Sequence, residues 1–222
     1  TTHIVDVANC EQVYVWAEDT VKAHGHVDCI INNAGVAIMA SIEEIDYEDF
    51  DWVFNIVFYG VLYGTKAFLP FLKERPDAHI VNISSVNGFY SNPMNGPYAC
   101  AKHAVKALNQ TLQQELRGTS VNITSVHPGG VKTNIARNSR SYDSEELQKE
   151  KVERFDQIAG TSPEKAAKII IKGILKNHKR QLVGFDAVVI DILSRVFPQK
   201  FSDAIGYLHE RASRKWKANN VT

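Results

Sequence analysis

Apolar residues along this chain form two kinds of pattern. Short continuous runs rich in β-branched residues are too short for helices and are typical of strands buried in a parallel sheet. The predicted strands cover residues 2–6, 27–32, 79–84, 121–126 and 181–183. Longer stretches with apolar residues at helical spacing predict helices over residues 10–24, 46–73, 97–117, 162–174 and 186–217.

Strands and helices alternate along the whole chain, which predicts an α/β fold with helices on both faces of a parallel sheet. We expect a three-layer, doubly wound, Rossmann-like architecture. Residues 1–222 contain no internal repeat, low-complexity tract or linker, so a single domain is expected.

Composition and charge exclude several classes of protein. The chain has 222 residues, of which 44% are hydrophobic and 23% charged, as in an ordinary soluble domain. Its formal net charge of +0 argues against a nucleic-acid partner. The cysteine spacing fits neither a metal site nor a disulfide framework, which predicts packing roles, no metal and a reducing, cytoplasmic location. These cysteines are Cys10, Cys29 and Cys100.

Candidate chemistry is concentrated in residues 79–102, where a strand ends in serines and a polar loop leads to a helix with Pro97 in its first turn. Tyr98 and Lys102 lie one turn apart on this helix, so the ammonium can approach the phenol and favour the phenolate. Ser85, at the mouth of the strand, can hydrogen-bond the same substrate oxygen. A Tyr-x-x-x-Lys pattern alone is common on surface helices, so the interpretation depends on the wider arrangement.

That wider arrangement consists of Ser-Ser-x-x-Gly, Tyr-x-x-x-Lys, an Asn-Asn-Ala-Gly turn and Pro-Gly-x-Val-x-Thr, and it resembles the short-chain dehydrogenase/reductase family. The resemblance implies an NAD(P)-dependent oxidoreductase that interconverts an alcohol and a ketone or aldehyde. It implies that Tyr98 transfers the hydroxyl proton, while Lys102 lowers the pKa of that tyrosine and holds the nicotinamide ribose. Ser85 has the family's spacing to the tyrosine and would position the substrate oxygen, whereas Ser84 does not fit.

The resemblance also implies where NAD or NADP would bind. The turn near the adenosine comprises Asn33, Ala34 and Gly35. The nicotinamide-side turn comprises Pro128, Gly129, Val131 and Thr133, of which the threonine would hold the carboxamide. Asp6, followed by Val7, matches the acidic residue that contacts the adenine in the family.

Asn55 interrupts the apolar face of the predicted helix 46–73. The local pattern is equally that of a partly exposed polar residue. In the family, an asparagine in this helix, within a pattern like Asn-x-x-x-Gly, holds a water that links the lysine to solvent. Here Gly60 follows Asn55 one residue later than in that pattern, and Asn55 is a fourth catalytic candidate with this departure.

The family's first two strands and its pyrophosphate-binding glycine loop have no counterpart in this sequence, which starts at Thr1. From the resemblance we expect an N-terminally incomplete domain whose strand 27–32 lacks a neighbour. We also expect the chain as given to bind NAD(P) weakly.

Other functions and partners remain open at this stage. A non-catalytic binding protein can share the scaffold, and an extended-type dehydratase or epimerase shares Tyr-x-x-x-Lys, although the two turn motifs favour the shorter dehydrogenase type. The polar region 134–157 corresponds to the family's variable lid, and its surroundings indicate a small lipophilic substrate. The family also implies a homodimer or homotetramer through helices 50–68 and 105–116. The apolar, partly basic region 186–217 suits core or subunit packing more often than a membrane surface.

Overall fold

The structure is a computed structural model and describes residues 1–220, with side chains in the last helix as far as Arg214. Its strands are β1 Cys29–Asn32, β2 Ile38–Met39, β3 Ala78–Ile83, β4 Val121–Pro128, β5 Arg140–Ser141 and β6 Arg180–Val183. The main sheet has the order β1, β3, β4, β6, and all its pairs are parallel. Strands β2 and β5 form a second, two-stranded parallel sheet.

Helices follow the strands as the sequence predicts. They are α1 Cys10–His24, α2 Tyr47–Phe54, a π-helical turn Asn55–Tyr59, α3 Gly60–Lys73, α4 Gly96–Glu115, α5 Glu145–Ile158, α6 Pro163–Leu175, α7 Phe185–Val196 and α8 Pro198–Asn220. Side-chain caps fix several of these starts: Asn9 accepts a hydrogen bond from the Gln12 amide, and Ser162 accepts one from the Lys165 amide.

Helices pack on both faces of the sheet, which confirms the layered α/β prediction. On one face, Val13 of α1 and Phe68 of α3 are buried against Ile80 of β3. On the other face, Ala166 of α6 is buried with Val126 of β4. Burial of apolar side chains on both sides explains why the central strands are continuous apolar runs.

The predicted strand 2–6 is wrong. A strand requires a neighbour for its backbone hydrogen bonds, and the described residues place none beside this segment. Ile4 is fully exposed. Asp6 instead begins a turn into α1, in which its carboxylate accepts from the Ala8 amide at 3.0 Å and its own amide donates to the Gln12 side chain at 2.9 Å.

The predicted helix 46–73 forms, but a π-helical turn divides it at Asn55–Tyr59. A π turn holds one more residue than an α turn. It therefore accommodates the additional residue between Asn55 and Gly60 that departs from the family pattern. Gly60 then packs on Val7, whose Cγ2 would lie 3.0 Å from a Cβ added at the glycine.

The segment Tyr47–Lys73 is also long and apolar enough to span a membrane, with a mean hydropathy of 1.2. A buried core helix meets the same criterion. Val53, Val57, Val61 and Phe68 are each at most 2% exposed, so this segment serves as a core element in the structure.

The packing role predicted for the cysteines is wrong. All three cysteines are exposed, and one of them, Cys29, lies on β1 at the edge of the main sheet. The apolar face of α7 is also exposed, with Ile192 at 54% and Val196 at 59%, so it is not part of the core and its use in subunit packing stays a prediction.

Candidate active site

The two serines at the end of β3 have different partners. Ser84 Oγ donates a hydrogen bond to the backbone carbonyl of Lys102 at 2.9 Å. Ser85 Oγ accepts one from the Asn87 amide at 3.1 Å. The first contact ties the strand end to α4, and the second fixes the serine that has the family's spacing to Tyr98.

The structure shows why the Ser-Ser-x-x-Gly pattern ends in a glycine, Gly88. A Cβ at this residue would lie 2.7 Å from Ser84 Oγ and 2.9 Å from the Lys102 carbonyl oxygen. Both contacts are shorter than real side chains allow. The loop approaches α4 this closely only because residue 88 lacks a side chain.

Tyr98 and Lys102 share one face of α4, as their spacing predicts. Lys102 Nζ lies 5.5 Å from the centroid of the Tyr98 ring. The ammonium donates a hydrogen bond to the Ile83 carbonyl at 2.7 Å, and the lysine is only 3% exposed. The structure thus brings Ser85, Tyr98 and Lys102 together at the carboxyl end of β3.

Burial dominates the proton affinities of this site. Tyr98 is half-buried overall, but protein surrounds its phenol oxygen, which raises its pKa to about 12, while the Ser85 hydroxyl lowers it in part. Burial also lowers the pKa of Lys102 to about 8. The expected lowering of the Tyr98 pKa by Lys102 is therefore not seen, because desolvation of the phenolate outweighs a cation that is itself hydrogen-bonded to Ile83.

The predicted adenosine-side turn lies beside Lys102, the candidate catalytic lysine. A Cβ added at Gly35 would be 3.9 Å from Lys102 Nζ. Asn33, Ala34 and Gly35 are all exposed. The turn is thus exposed beside the lysine at the strand ends, where open α/β sheets bind ligands, and the residues present fit the ribose parts of a dinucleotide, while the pyrophosphate-binding loop has no counterpart among them.

The turn after β4 is fixed by the end of β6 and the start of α7. Pro128 is the last residue of β4 and, like Val131, is half-buried. The Gly129 amide donates to the Val183 carbonyl at 2.9 Å, and the Gly130 amide donates to Asp186 Oδ2 at 2.6 Å. A cavity of about 250 Å³ follows, lined by Lys132, Thr133, Asn134, Arg137 and Asp156. Thr133 lines this cavity, but Ser85, Tyr98 and Lys102 do not. The contact of Thr133 with the nicotinamide carboxamide therefore stays a prediction.

Asn55 is exposed at the first residue of the π turn. From the same turn, Val57 is fully buried and packs in the cluster that contains Ala101 and Tyr98. Among the described residues no side-chain hydrogen bond joins Asn55 to Ser85, Tyr98 or Lys102. The water-holding role of Asn55 stays a prediction. Asp6, also exposed, lies in the turn before α1 rather than at a strand end.

Sequence reasoning missed a chain of buried amides that joins the strand ends. Asn32 Nδ2 donates to Asn82 Oδ1 at 2.7 Å, and Asn82 Nδ2 donates to Asn109 Oδ1 at 2.7 Å. Asn82 and Asn109 are fully buried. The sequence did contain a signal, because Asn32 and Asn82 are polar residues within apolar runs that predict buried strands. A buried amide needs a hydrogen-bond partner, so each of them predicts a buried polar contact.

The region predicted to be a lid is attached to the start of α2. Tyr142 Oη donates to Asp46 Oδ2 at 2.8 Å. The Arg140 guanidinium lies 3.7 Å from the centroid of the Trp52 ring and forms an ion pair with Asp49. Strand β5 is thereby fixed at both ends, while α5 contains no buried residue.

The fold and the position of these residues define an α/β protein with its ligand site at the carboxyl ends of parallel strands. The family model for short chain dehydrogenases matches residues 1–144. The putative oxidoreductase SadH from Mycobacterium tuberculosis is 39% identical over 200 residues, which cover 89% of this chain and 72% of that protein. The chain therefore belongs to the short chain dehydrogenase family, whose members are NAD(P)-dependent oxidoreductases.

Solved structures agree with this membership. A short chain dehydrogenase/reductase from Burkholderia phymatum in complex with NAD is 28% identical, with a TM-score of 0.80 over 88% of this chain and 74% of that one. A gluconate 5-dehydrogenase from Burkholderia cenocepacia in complex with NADP and tartrate is 26% identical, with a TM-score of 0.57 over 60% of this chain and 52% of that one.

Proposed function

We propose that this protein interconverts an alcohol and a ketone or aldehyde by hydride transfer with NAD or NADP. The observation that supports this most directly is the convergence of Ser85, Tyr98 and Lys102 at the end of β3, beside the open turn at Gly35. When bound, the nicotinamide ring accepts the hydride from an alcohol carbon or supplies it to a carbonyl carbon.

The chain's own residues handle the proton. In carbonyl reduction, Tyr98 gives its phenolic proton to the substrate oxygen as that oxygen gains negative charge. The raised pKa of Tyr98, about 12, keeps the phenol protonated at neutral pH, which suits this direction. Alcohol oxidation requires the phenolate: once the phenol has given its proton to solvent, the same oxygen takes the proton of the substrate hydroxyl, and the Ser85 hydroxyl holds the substrate oxygen in both directions.

Lys102 supplies positive charge next to this proton transfer. Its lowered pKa of about 8 still leaves the ammonium mostly protonated at neutral pH. Because an ammonium has three donors and one of them is used by the Ile83 carbonyl, Nζ can also donate a hydrogen bond to a ribose hydroxyl beside Gly35.

We also propose a lipophilic substrate and a homodimeric or homotetrameric protein. Aromatic rings follow the catalytic loop, where Tyr90 packs edge-on against Phe201 of α8 at 5.3 Å. A second group of rings, Phe54, Phe58, Tyr59 and Tyr63, lies along the segment α2–α3. Partly exposed aromatic rings of this kind are common in subunit interfaces.

The Tyr98→Phe substitution tests the reaction. It removes the proton carrier and little contact area, so turnover of the probe alcohols cyclohexanol and benzyl alcohol should fall by at least about a hundredfold, while NADH and NADPH affinity stays unchanged. Turnover is followed by the absorbance of reduced nicotinamide, and binding by its fluorescence. Tyr59→Phe, the same change at a tyrosine outside the site, is the control.

Two outcomes would contradict the proposal. Activity of Tyr98→Phe within about tenfold of the parent would exclude the tyrosine as proton carrier. Binding of neither NADH nor NADPH by a longer chain that also carries the pyrophosphate-binding glycine loop would favour a non-catalytic protein. Faster turnover of glycerol than of the probe alcohols would contradict the proposal of a lipophilic substrate and leave the proposed reaction intact.

A further inference from the structure

A buried imidazole lies directly behind the candidate catalytic serine. His127, on β4, is only 1% exposed. Its Nδ1 is 3.1 Å from the backbone carbonyl oxygen of Ser85, and its Nε2 is 2.9 Å from Ser125 Oγ. Both ring nitrogens thus have a partner, and one of these partners belongs to the active site.

The partners determine which nitrogen carries the proton. A carbonyl oxygen can only accept, so Nδ1 must carry the hydrogen that is shared with Ser85. Nε2 then accepts the hydroxyl hydrogen of Ser125, whose Oγ accepts in turn from Asn109 Nδ2 at 2.9 Å. All donors in this chain point the same way, towards Ser85, when the ring is neutral.

The surroundings keep the ring in this neutral form. Burial lowers the pKa of His127 to about 4, against the hydrogen bond to Ser85, which raises it, and the nearby cations Arg180 of β6 and Lys106 of α4 lower it further. Asp191 of α7 opposes them, although its carboxylate is paired with Arg180. The Phe89 ring packs on the imidazole, with centroids 4.3 Å apart.

Ser85 is consequently held by several donors at once. Its carbonyl oxygen accepts from His127 Nδ1 and also from the Gly88 amide at 3.0 Å, which uses both of its lone pairs. Its hydroxyl oxygen accepts from the Asn87 amide at 3.1 Å. Hydrogen bonds therefore hold both the backbone and the side chain of this residue.

We propose that His127 is a positioning residue for the reaction: by donating from Nδ1 to the Ser85 carbonyl, it orients the serine so that its hydroxyl meets the substrate oxygen. This role rests on the proposed function and extends it to a residue that touches neither substrate nor cofactor. Correct orientation of a catalytic group is worth large factors in rate, and small displacements lose them.

Two substitutions separate this role from simple packing. The amide nitrogen of His127→Asn can occupy the position of Nδ1 and donate to Ser85, whereas the longer amide of His127→Gln reaches the position of Nε2 and faces Ser125. With the probe alcohol that the parent oxidises fastest, kcat of the Asn variant should stay within about threefold of the parent, and kcat of the Gln variant should fall about tenfold to a hundredfold. KM for NAD and NADP should not change.

A packing role predicts the opposite order. The glutamine fills more of the imidazole's volume than the asparagine, so the Asn variant would then be the more damaged of the two. Equal activities, or a larger loss in the Asn variant, would overturn the proposal. Ser125→Ala is the control, because it keeps the Nδ1 bond to Ser85 and should retain kcat even if the Gln variant does not fold.

Nuclear magnetic resonance gives a readout that does not need turnover. The ring ¹⁵N shifts of His127 should show a neutral imidazole protonated at Nδ1, and the Asn87 amide, which donates to Ser85 Oγ, should shift in the Gln variant but not in the Asn variant. Protonation at Nε2 would overturn the proposal. If the parent oxidised no probe alcohol, the proposed reaction would fail while these spectra still decided the role of His127.

Discussion

At the residue scale, the candidate site is governed by desolvation more than by direct charge pairing. Tyr98 and Lys102 are neighbours, yet burial raises the pKa of the phenol and lowers that of the ammonium. Both shifts favour the neutral form of each group. At neutral pH the Tyr98 phenol is thus protonated, and the neighbouring Lys102 can lose its proton in mildly alkaline solution.

This lysine should make the stability of the protein depend on pH in a defined window. Below pH 8, Lys102 is protonated in both the folded and the unfolded state, whereas between about 8 and 10.5 the unfolded state alone holds the proton. The free energy of unfolding of the parent should therefore rise with pH relative to Lys102→Met, by about 3 kcal/mol over the window.

Urea unfolding of parent and variant at a series of pH values measures this difference. The comparison removes the contributions of other titrating groups, because both proteins share them. A difference that stays constant from pH 8 to pH 10.5 would show that Lys102 titrates as an ordinary exposed lysine.

At the element scale, close approach of α3 to β1 depends on a glycine. A Cβ at Gly64 would lie 2.1 Å from Asn32 Oδ1, and the Asn32 side chain donates to Asn82 on β3. Helix α3 and strands β1 and β3 therefore contact one another through the Asn32 side chain. The π turn before α3 serves the same fit, because it absorbs one residue without shifting Gly64 off the sheet.

Gly64→Ala should destabilise the protein by about 1 to 3 kcal/mol, since the added methyl group must displace the Asn32 amide. Gly206→Ala is the matched control: it lies within α8, and an added Cβ there meets no atom within 4 Å. That substitution should be neutral or stabilising by up to about 1 kcal/mol through helix propensity. Urea unfolding distinguishes the two, and equal stabilities would contradict the fitted contact.

At the scale of the whole molecule, two parts of the described surface favour association. One is the outer edge of β1, whose backbone groups pair with no strand among the described residues. The other is the group of aromatic rings along α2–α3, of which Tyr59 is 39% exposed. Unpaired edges and exposed rings both favour association.

The proposed oligomer is tested by light scattering. If α4 takes part in the interface, Ala107→Arg on its exposed side should convert a dimer or tetramer into a smaller species, because a buried cation without a partner is unfavourable. Ala23→Arg, the same change on the exposed side of α1, should leave the mass unchanged. A monomeric parent would contradict the proposal.

The sequence by itself determined the alternation of strands and helices, because burial on both faces of a sheet requires continuous apolar runs and a helix requires apolar residues every three or four positions. It also indicated Ser85, Tyr98 and Lys102, since four-residue spacing on a helix and the end of a strand are local properties. The segment 2–6 shows the limit of such reasoning, because a strand exists only with a neighbour and periodicity carries no information about neighbours.

Only the tertiary structure decided the rest, and the reason is that these features depend on contacts between residues distant in the chain. Desolvation by the whole fold sets the pKa of Tyr98 and reverses the direction expected from its spacing to Lys102. The extra residue before Gly60 becomes a π turn from which Val57 packs near Tyr98. His127 acquires its place behind Ser85 only when β3 and β4 pair, because 42 residues separate the two in sequence.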